Sequence, residues 1–180
     1  MDVLCSVDIA AVRAEPRDDA ERVTELLRGE PVAVEGRRDG WARIKTAYDY
    51  FGWVLEEEIA GTKGDAVEHA RRYVGTPYLW GGMTERGIDC SGLVHMAYRW
   101  LGRLVPRDAD QQEAAGTSVA EHELEPGHLV TYGGEEATHI AFWLGDGRIL
   151  HSTEREGVDG VVEEAEPQQL RVQRRRLIRL

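Results

Sequence analysis

Between Thr76 and Leu101 the chain changes character within a few residues, and that change limits what it can fold into. Thr76-Pro77-Tyr78-Leu79-Trp80-Gly81-Gly82 is too rich in Pro and Gly for a helix or a regular strand. Beyond it, Leu93, Val94, Ala97, Tyr98 and Leu101 fall at helical spacing, and Gly102 supplies a stop. A loop-to-helix junction is therefore predicted at Asp89-Cys90-Ser91-Gly92, with Cys90 in the first turn of an amphipathic helix. Unpaired amides and the helix dipole favour negative charge there. Such a placement can lower a thiol pKa from about 8.5 to roughly 3.5–7.5 and create a nucleophilic thiolate. Free cysteine is also among the most buried residue types, so a structural role for Cys90 stays open at this point.

Composition narrows the class. The 180 residues suffice for one domain or two small ones, and 42% hydrophobic with 31% charged residues describes a globular chain. No apolar run approaches the roughly 20 residues of a membrane span. Met1-Asp2-Val3-Leu4-Cys5-Ser6 lacks a basic segment and an apolar core, so no secretory signal is read and a cytoplasmic location is expected. A net charge of −11 argues against nucleic acid, an anionic membrane or a polyanionic wall polymer as partner. Arg171-Val172-Gln173-Arg174-Arg175-Arg176 is a local exception, and its alternation into Leu177, Ile178 and Leu180 predicts a terminal strand with one solvated face. Two cysteines are too few for a disulfide framework.

Two textures divide the chain. Residues 1–60 read as all-β, with short runs at Pro31–Val34, Trp41–Ile44 and Gly52–Val54 separated by turns such as Arg38-Asp39-Gly40, which suggests a small barrel. Glu56 to Gly64 reads as a charged, glycine-punctuated junction. From 65 to 180, helices precede strands. Asp65 caps a helix with Ala66, Val67, Ala70, Tyr73 and Val74 on one face, then come the Cys90 helix and a short helix around Pro106–Gln112. Strands follow at Leu129–Tyr132, His139–Leu144 and Arg148–Ser152. That order is α+β.

Six histidines are candidate bases for Cys90. His69 lies off the apolar face of its helix and reads as solvated, His95 lies on the polar face of the Cys90 helix, and His122 and His128 sit in acidic, turn-rich sequence. His139 and His151 differ, because Gly145-Asp146-Gly147 joins their strands as a hairpin. They meet across the pair directly or diagonally, according to a turn register that the sequence leaves open. One imidazole can take the Cys90 proton while the second orients the first. Two unrelated strand histidines would look the same. A metal site lacks further ligands at suitable spacing, and no metal or cofactor is expected.

Taken in order, Tyr78-Leu79-Trp80-Gly81-Gly82, Asp89-Cys90-Ser91-Gly92-Leu93, Pro106-Arg107, Pro126-Gly127, His139-Ile140-Ala141-Phe142-Trp143-Leu144-Gly145 and Leu150-His151-Ser152 resemble the NlpC-type bacterial wall peptidases. The resemblance covers residues 65–180 and implies a papain-like cysteine peptidase domain. Gly40-Trp41 and Tyr50-Phe51-Gly52-Trp53 resemble a bacterial SH3-like barrel over residues 1–60. The resemblance implies Cys90 as nucleophile, His139 as base, His151 as orienting residue, and Tyr78 with the Cys90 amide as oxyanion donors. One subgroup with this domain order cleaves the γ-D-glutamyl-L-diamino acid bond of peptides with a free N-terminal L-alanine. By that likeness Tyr50, Asp89 and Ser91 bind substrate, Asp89 through the peptide's ammonium.

A plain N-cap is the lesser reading of Asp89, barrel core an equal one for Tyr50, and Asp108 and Asp110 read equally as cleft-lining or solvated loop residues. Two departures stand out: His128 follows Pro126-Gly127 where the family commonly has aspartate, and the roughly 60 residues before the junction are expected to hold none of the subgroup's additional N-terminal domains. The leading expectation is a cysteine endopeptidase that trims murein-derived peptides during recycling. A papain-like amidase or acyltransferase on another substrate, or a non-catalytic wall-binding module, are the alternatives.

Overall fold

A computed structural model of the chain describes residues 3–61 and 65–180. The described residues divide into two compact units, 3–61 with Trp100–Arg103, and 65–99 with 104–180.

The first unit is a seven-stranded antiparallel sheet: β1 (Val3–Cys5), β2 (Ile9–Arg13), β3 (Arg22–Leu27), β4 (Pro31–Arg38), β5 (Trp41–Thr46), β6 (Phe51–Leu55) and β7 (Ile59–Gly61). Its strand order is β3-β2-β6-β5-β4-β1-β7. Inward residues at alternate positions, including Ala10 and Val12, Ala42 and Ile44, and Val54, build its core with Cys5, Leu26 and Val32. Burial at Cys5 keeps that thiol above its ordinary pKa. The charged junction expected from Glu56 onward is instead a 3-10 turn over Glu56–Glu58 and then β7, which pairs with β1 through Cys5 and Ile59. Ile59 is buried in the core, and that apolar anchor was masked in the sequence by the three glutamates before it. The rest of that junction, residues 62–64, lies outside the described residues.

The second unit opens with α1 (Ala66–Arg71), whose N-cap Asp65 accepts a hydrogen bond from the Glu68 amide at 2.8 Å. The helix ends earlier than its apolar spacing implies, so Val74 leaves the inner face and is 51% exposed. His69, expected to be solvated, is buried. The short ribbon β8 (Met83–Thr84) and β9 (Gly87–Ile88) leads into α2 (Cys90–Arg99), and α3 (Ala109–Ala115) follows. A six-stranded antiparallel sheet completes the unit: β10 (Thr117–Ser118), β11 (Leu129–Gly133), β12 (Ala137–Gly145), β13 (Arg148–Arg155), β14 (Val158–Ala165) and, after the single turn α4 (Gln168–Arg171), β15 (Arg174–Arg179). The order is β10-β15-β11-β12-β13-β14, with α2 and α3 packed on β12. Tyr98 of α2 stacks on Phe142 with ring centroids 6.3 Å apart.

The basic run forms a terminal strand, as its alternation predicts, but two of its arginines are turned to use inside the fold. Arg174 pairs with Glu166, and Arg175 pairs with Glu113 at 3.2 Å. Glu113 is buried, which would raise its pKa, yet Arg175 and Thr131 hold it below the usual carboxylate range. A charge patch in the sequence is thus largely neutralised within the fold.

Gly160, near the start of β14, fixes the chain segment leading to the cysteine loop. The Val161 amide donates to the Thr76 carbonyl and the Gly75 amide to the Val161 carbonyl, both at 2.9 Å. Gly160 has φ +122°, and a Cβ there would lie 2.2 Å from the Thr76 oxygen. Asp65→Ala is expected to cost about 1 kcal/mol as a lost cap. Gly160→Ala is expected to cost more, since neither the φ nor the backbone contact can relax cheaply. Urea unfolding of both variants tests this, and an equal or smaller loss at Gly160 would contradict the clamp.

Candidate active site

Cys90 begins α2 at the end of a tightly held loop. Ile88 donates its amide to the Pro77 carbonyl at 3.1 Å, Tyr78 donates its amide to Asp159 Oδ1 at 3.1 Å, and Ser152 Oγ donates to the Ile88 carbonyl at 2.6 Å. The last two of these bonds fasten the loop to β14 and β13.

Asp89 is the centre of this loop. Its Oδ1 accepts from the Gly92 amide at 2.7 Å, the capping geometry for α2, and from Arg107 Nη1 at 2.9 Å. Oδ2 accepts from the Gly81 amide and from Arg107 Nη2, both at 2.7 Å. A carboxylate offers about four lone-pair sites, and these four donors fill them, with Ser91 Oγ a more distant fifth at 3.4 Å from Oδ1. Arg107 Nη1 also donates to Ser91 Oγ at 2.9 Å, and Gln112 Nε2 donates to the Ser91 carbonyl at 3.0 Å. Gly92 is required by close approach, because a Cβ there would lie 2.3 Å from the Gly82 oxygen. Asp89 and Ser91, which the resemblance implies as substrate contacts, are also bonded to one another, to Arg107 and to the helix start. A substrate ammonium would have to join Asp89 as a further donor beside the Arg107 cation.

Strand register brings the histidines together. Phe142 stands opposite Leu150, so His151 lies diagonal to His139, which resolves the register left open by the sequence. His139 Nε2 and His151 Nδ1 are 2.8 Å apart, with the rings edge to face at 79°. His151 pairs with Val162 in β14, placing Glu164 diagonal to it in turn, and His151 Nε2 lies 2.9 Å from Glu164 Oε1. Arg155 Nη2 donates to the other oxygen of Glu164. Tyr132, opposite His139 in β11, packs its ring 5.7 Å away.

The Ile140 amide, next in chain to His139, is a hydrogen-bond partner of the Cys90 sulfur, which sets the thiol beside the start of this relay. Burial dominates the electrostatics. It pushes the Cys90 thiol up to about 11, Asp89 adding to the rise while the Ile140 amide opposes it. Burial, reinforced by His151, pushes His139 down to about 3. The thiol depression expected from the helix start is overturned, since removing the sulfur from water outweighs the favourable dipole. At neutral pH the pair is thiol and neutral imidazole. Burial likewise raises Tyr78 to about 12, with Cys90 and Asp89 adding to the shift, so its hydroxyl stays a donor.

Other candidates are placed elsewhere. Tyr50 belongs to the first unit, 53% exposed just before β6, with its amide donating to Thr46 Oγ1 at 3.1 Å. His95 Nδ1 lies 3.4 Å from the Pro106 carbonyl, His122 is exposed, and Asp108 and Asp110 are exposed. His128 Nδ1 accepts from the Glu125 amide at 3.0 Å, closing the turn in which the family commonly carries aspartate. Among the described residues no group of three or more His, Cys, Asp or Glu could hold a metal ion, and no helix is long and apolar enough to cross a membrane. Sequence reasoning missed Arg107 as the partner of Asp89 and Glu164 as the partner of His151. A buried carboxylate needs a counter-charge, which was the available hint for the first. The second depends on β13–β14 register.

Comparison with known proteins agrees with this layout. Residues 75–176 match the NlpC/P60 family, and residues 12–59 match the bacterial dipeptidyl-peptidase Sh3 domain. The chain is 35% identical over 145 residues to a gamma-D-glutamyl-L-lysine dipeptidyl-peptidase of Bacillus subtilis, covering 76% of this chain and 49% of the relative. It is 33% identical over 126 residues to a bifunctional muramidase/DL-endopeptidase of the same organism, covering 67% and 35%. The chain thus spans half or less of these relatives' lengths. A crystal structure of an NlpC/P60 family protein from Bacillus cereus superposes with a TM-score of 0.66 at 21% identity, covering 99% of this chain and 62% of that one, a likeness of fold.

Two measurements follow from the geometry. Because Cys90 titrates far above neutrality, its alkylation by iodoacetamide in the substrate-free protein should rise about tenfold per pH unit between about pH 6 and 9. Mass spectrometry of the Cys90 peptide reads the rate, and a plateau below pH 7 would mean a preformed thiolate–imidazolium pair. Arg107→Met strands the Asp89 charge and should cost about 3 kcal/mol in chemical unfolding, with Arg107→Lys recovering only part because it lacks the bidentate fork. Full recovery by lysine would remove the fork from the explanation.

Proposed function

The chain belongs to the NlpC/P60 family of cysteine peptidases and peptidoglycan hydrolases, and from that premise we propose that it cleaves the γ-D-glutamyl-L-diamino acid bond of murein-derived peptides carrying a free N-terminal L-alanine. The observation that carries the chemistry is the Cys90 thiol at the head of α2, bonded by the Ile140 amide and followed in space by His139 and His151 at 2.8 Å from each other. The dipeptidyl-peptidase named among the relatives supports the bond and the free amino end.

In this reading Cys90 Sγ attacks the γ-carbonyl carbon as its proton passes to His139, forming the C–S bond and a tetrahedral oxyanion. Charge is transferred only at that moment, because both groups rest neutral. The Tyr78 hydroxyl and the Cys90 amide, which lies outside the helix's own hydrogen-bond ladder, face the developing charge. Collapse breaks the C–N bond, and His139 returns its proton to the departing amine of the diamino acid. Water then gives a proton to His139 and attacks the thioester, releasing L-Ala-D-Glu and restoring the thiol. At the amino end, a substrate ammonium would share Asp89 with Arg107, with Ser91 beside them. A cytoplasmic recycling role is part of the same proposal, and the acidic net charge of −11, unsuited to polyanionic wall polymer, supports it.

The test is incubation with L-Ala-γ-D-Glu-diamino acid tripeptides across diamino-acid variants, with intact sacculi in parallel. Wild type should release L-Ala-D-Glu from tripeptide in preference to sacculi. Cys90→Ala should lower the rate on the order of 10⁵-fold. N-acetylation of the alanine should lower kcat/KM at least about tenfold, the loss of one charged contact. No release from any tripeptide by folded wild type overturns the proposal, and preference for sacculi overturns the recycling role.

A further inference from the structure

The chain of contacts behind Cys90 does not stop at His151, and its far end dictates where every proton in it sits. Arg155 is a donor with no acceptor capacity, and its Nη2 occupies Glu164 Oε2. Burial alone would raise the Glu164 pKa, but Arg155 and His151 outweigh it and hold the group ionised. Its Oε1, 2.9 Å from His151 Nε2, can therefore only accept, so Nε2 of His151 must carry a hydrogen. Burial keeps His151 neutral against the pull of Glu164, which leaves its Nδ1 as a bare acceptor. At 2.8 Å from that lone pair, His139 Nε2 must donate. The one basic nitrogen left on His139 is Nδ1.

We infer that Glu164 is a positioning residue that sets the tautomers of both histidines and so selects Nδ1 of His139 as the atom that receives the Cys90 proton. The inference rests on the Cys90, His139 and His151 roles proposed above, and it adds to them a carboxylate and its arginine. Glu164 touches neither the thiol nor the substrate. It acts through His151, across three adjacent strands.

The inference makes an unusual demand on substitutions. In Glu164→Gln, Arg155 can bond only the amide oxygen, which turns the amide NH₂ toward His151. Nε2 of His151 must then accept, its Nδ1–H must donate, and His139 is driven to the Nδ1–H tautomer with no lone pair for the thiol proton. Glu164→Ala imposes no tautomer at all. The near-isosteric change should therefore be the more damaging. Replacing Arg155 as well, as in Arg155→Met with Glu164→Gln, frees the amide to present its oxygen to His151 again.

The experiment combines ¹⁵N ring-proton NMR of the histidines with tripeptide kinetics on the whole chain. Wild type should show Nε2–H on both His139 and His151, and Glu164→Gln should show Nδ1–H on both. Glu164→Gln should lose kcat on the order of 10³-fold with KM nearly unchanged, as expected of a wrong tautomer. Glu164→Ala should lose less, and Arg155→Met in the Gln background should restore kcat at least about tenfold over Glu164→Gln alone by the same logic. Nδ1–H on wild-type His139, or a Glu164→Gln enzyme at least as active as Glu164→Ala, overturns the inference. If Glu164→Gln does not fold, the wild-type ring assignment decides by itself. That assignment needs no substrate, so a wild type with both rings Nε2–H that cleaves no tripeptide overturns the substrate reading and leaves this one standing.

Discussion

One buried carboxylate holds the working end of the second unit together. Asp89 is 4% exposed, and burying its charge would cost several kcal/mol without compensation. Four donors arranged around it supply that compensation: the amides of Gly81 and Gly92 and both terminal nitrogens of Arg107. They come from three places in the chain: the glycine loop, the first turn of α2 and the segment before α3. The same interaction therefore closes the glycine loop, caps α2 and anchors the segment before α3. The position of Cys90 is a consequence, since it follows Asp89 directly and has no freedom left once the loop, the cap and Arg107 are in place.

The second constraint is desolvation. A helix start favours a thiolate, and two neighbouring imidazoles would favour proton sharing, yet burial moves Cys90 and His139 in opposite directions, to about 11 and about 3. Both effects resist charge. In the proposed reaction, charge separation would therefore wait for a carbonyl to accept the sulfur's electrons. In that reaction the Tyr78 hydroxyl, which burial keeps protonated, and the Cys90 amide would meet the charge that then appears, which is where preorganisation contributes most. The ionised Glu164 behind His151 supplies the compensating negative charge at the far end of the relay, itself balanced by Arg155.

Much of this was legible in the residue pattern because the signals are local. Pro77, Gly81 and Gly82 bar regular structure, apolar spacing from Leu93 marks α2, and Gly145-Asp146-Gly147 marks the hairpin that carries both histidines. What failed to show depended on contacts distant in sequence. Asp89 and Arg107 are 18 residues apart, and nothing in either neighbourhood says that they form a bidentate pair. Glu164 joins His151 only through β13–β14 register, and it sits among other glutamates that look alike in sequence. His69 and Val74 were misplaced for a related reason, since α1 stops at Arg71 and its packing, not its apolar period, decides which side chains are covered.

The sequence by itself determined the α+β order of the second unit, the all-β texture of the first, and the identity of Cys90, His139 and His151 as the group to watch, because turn chemistry and hydrophobic period act over a few residues. The tertiary structure alone decided the protonation of that group, the saturation of Asp89 by Arg107, and the extension of the relay to Glu164. Burial and cross-strand register are properties of the packed chain. A thiol at a helix start carries no mark of how much water the fold will leave around it.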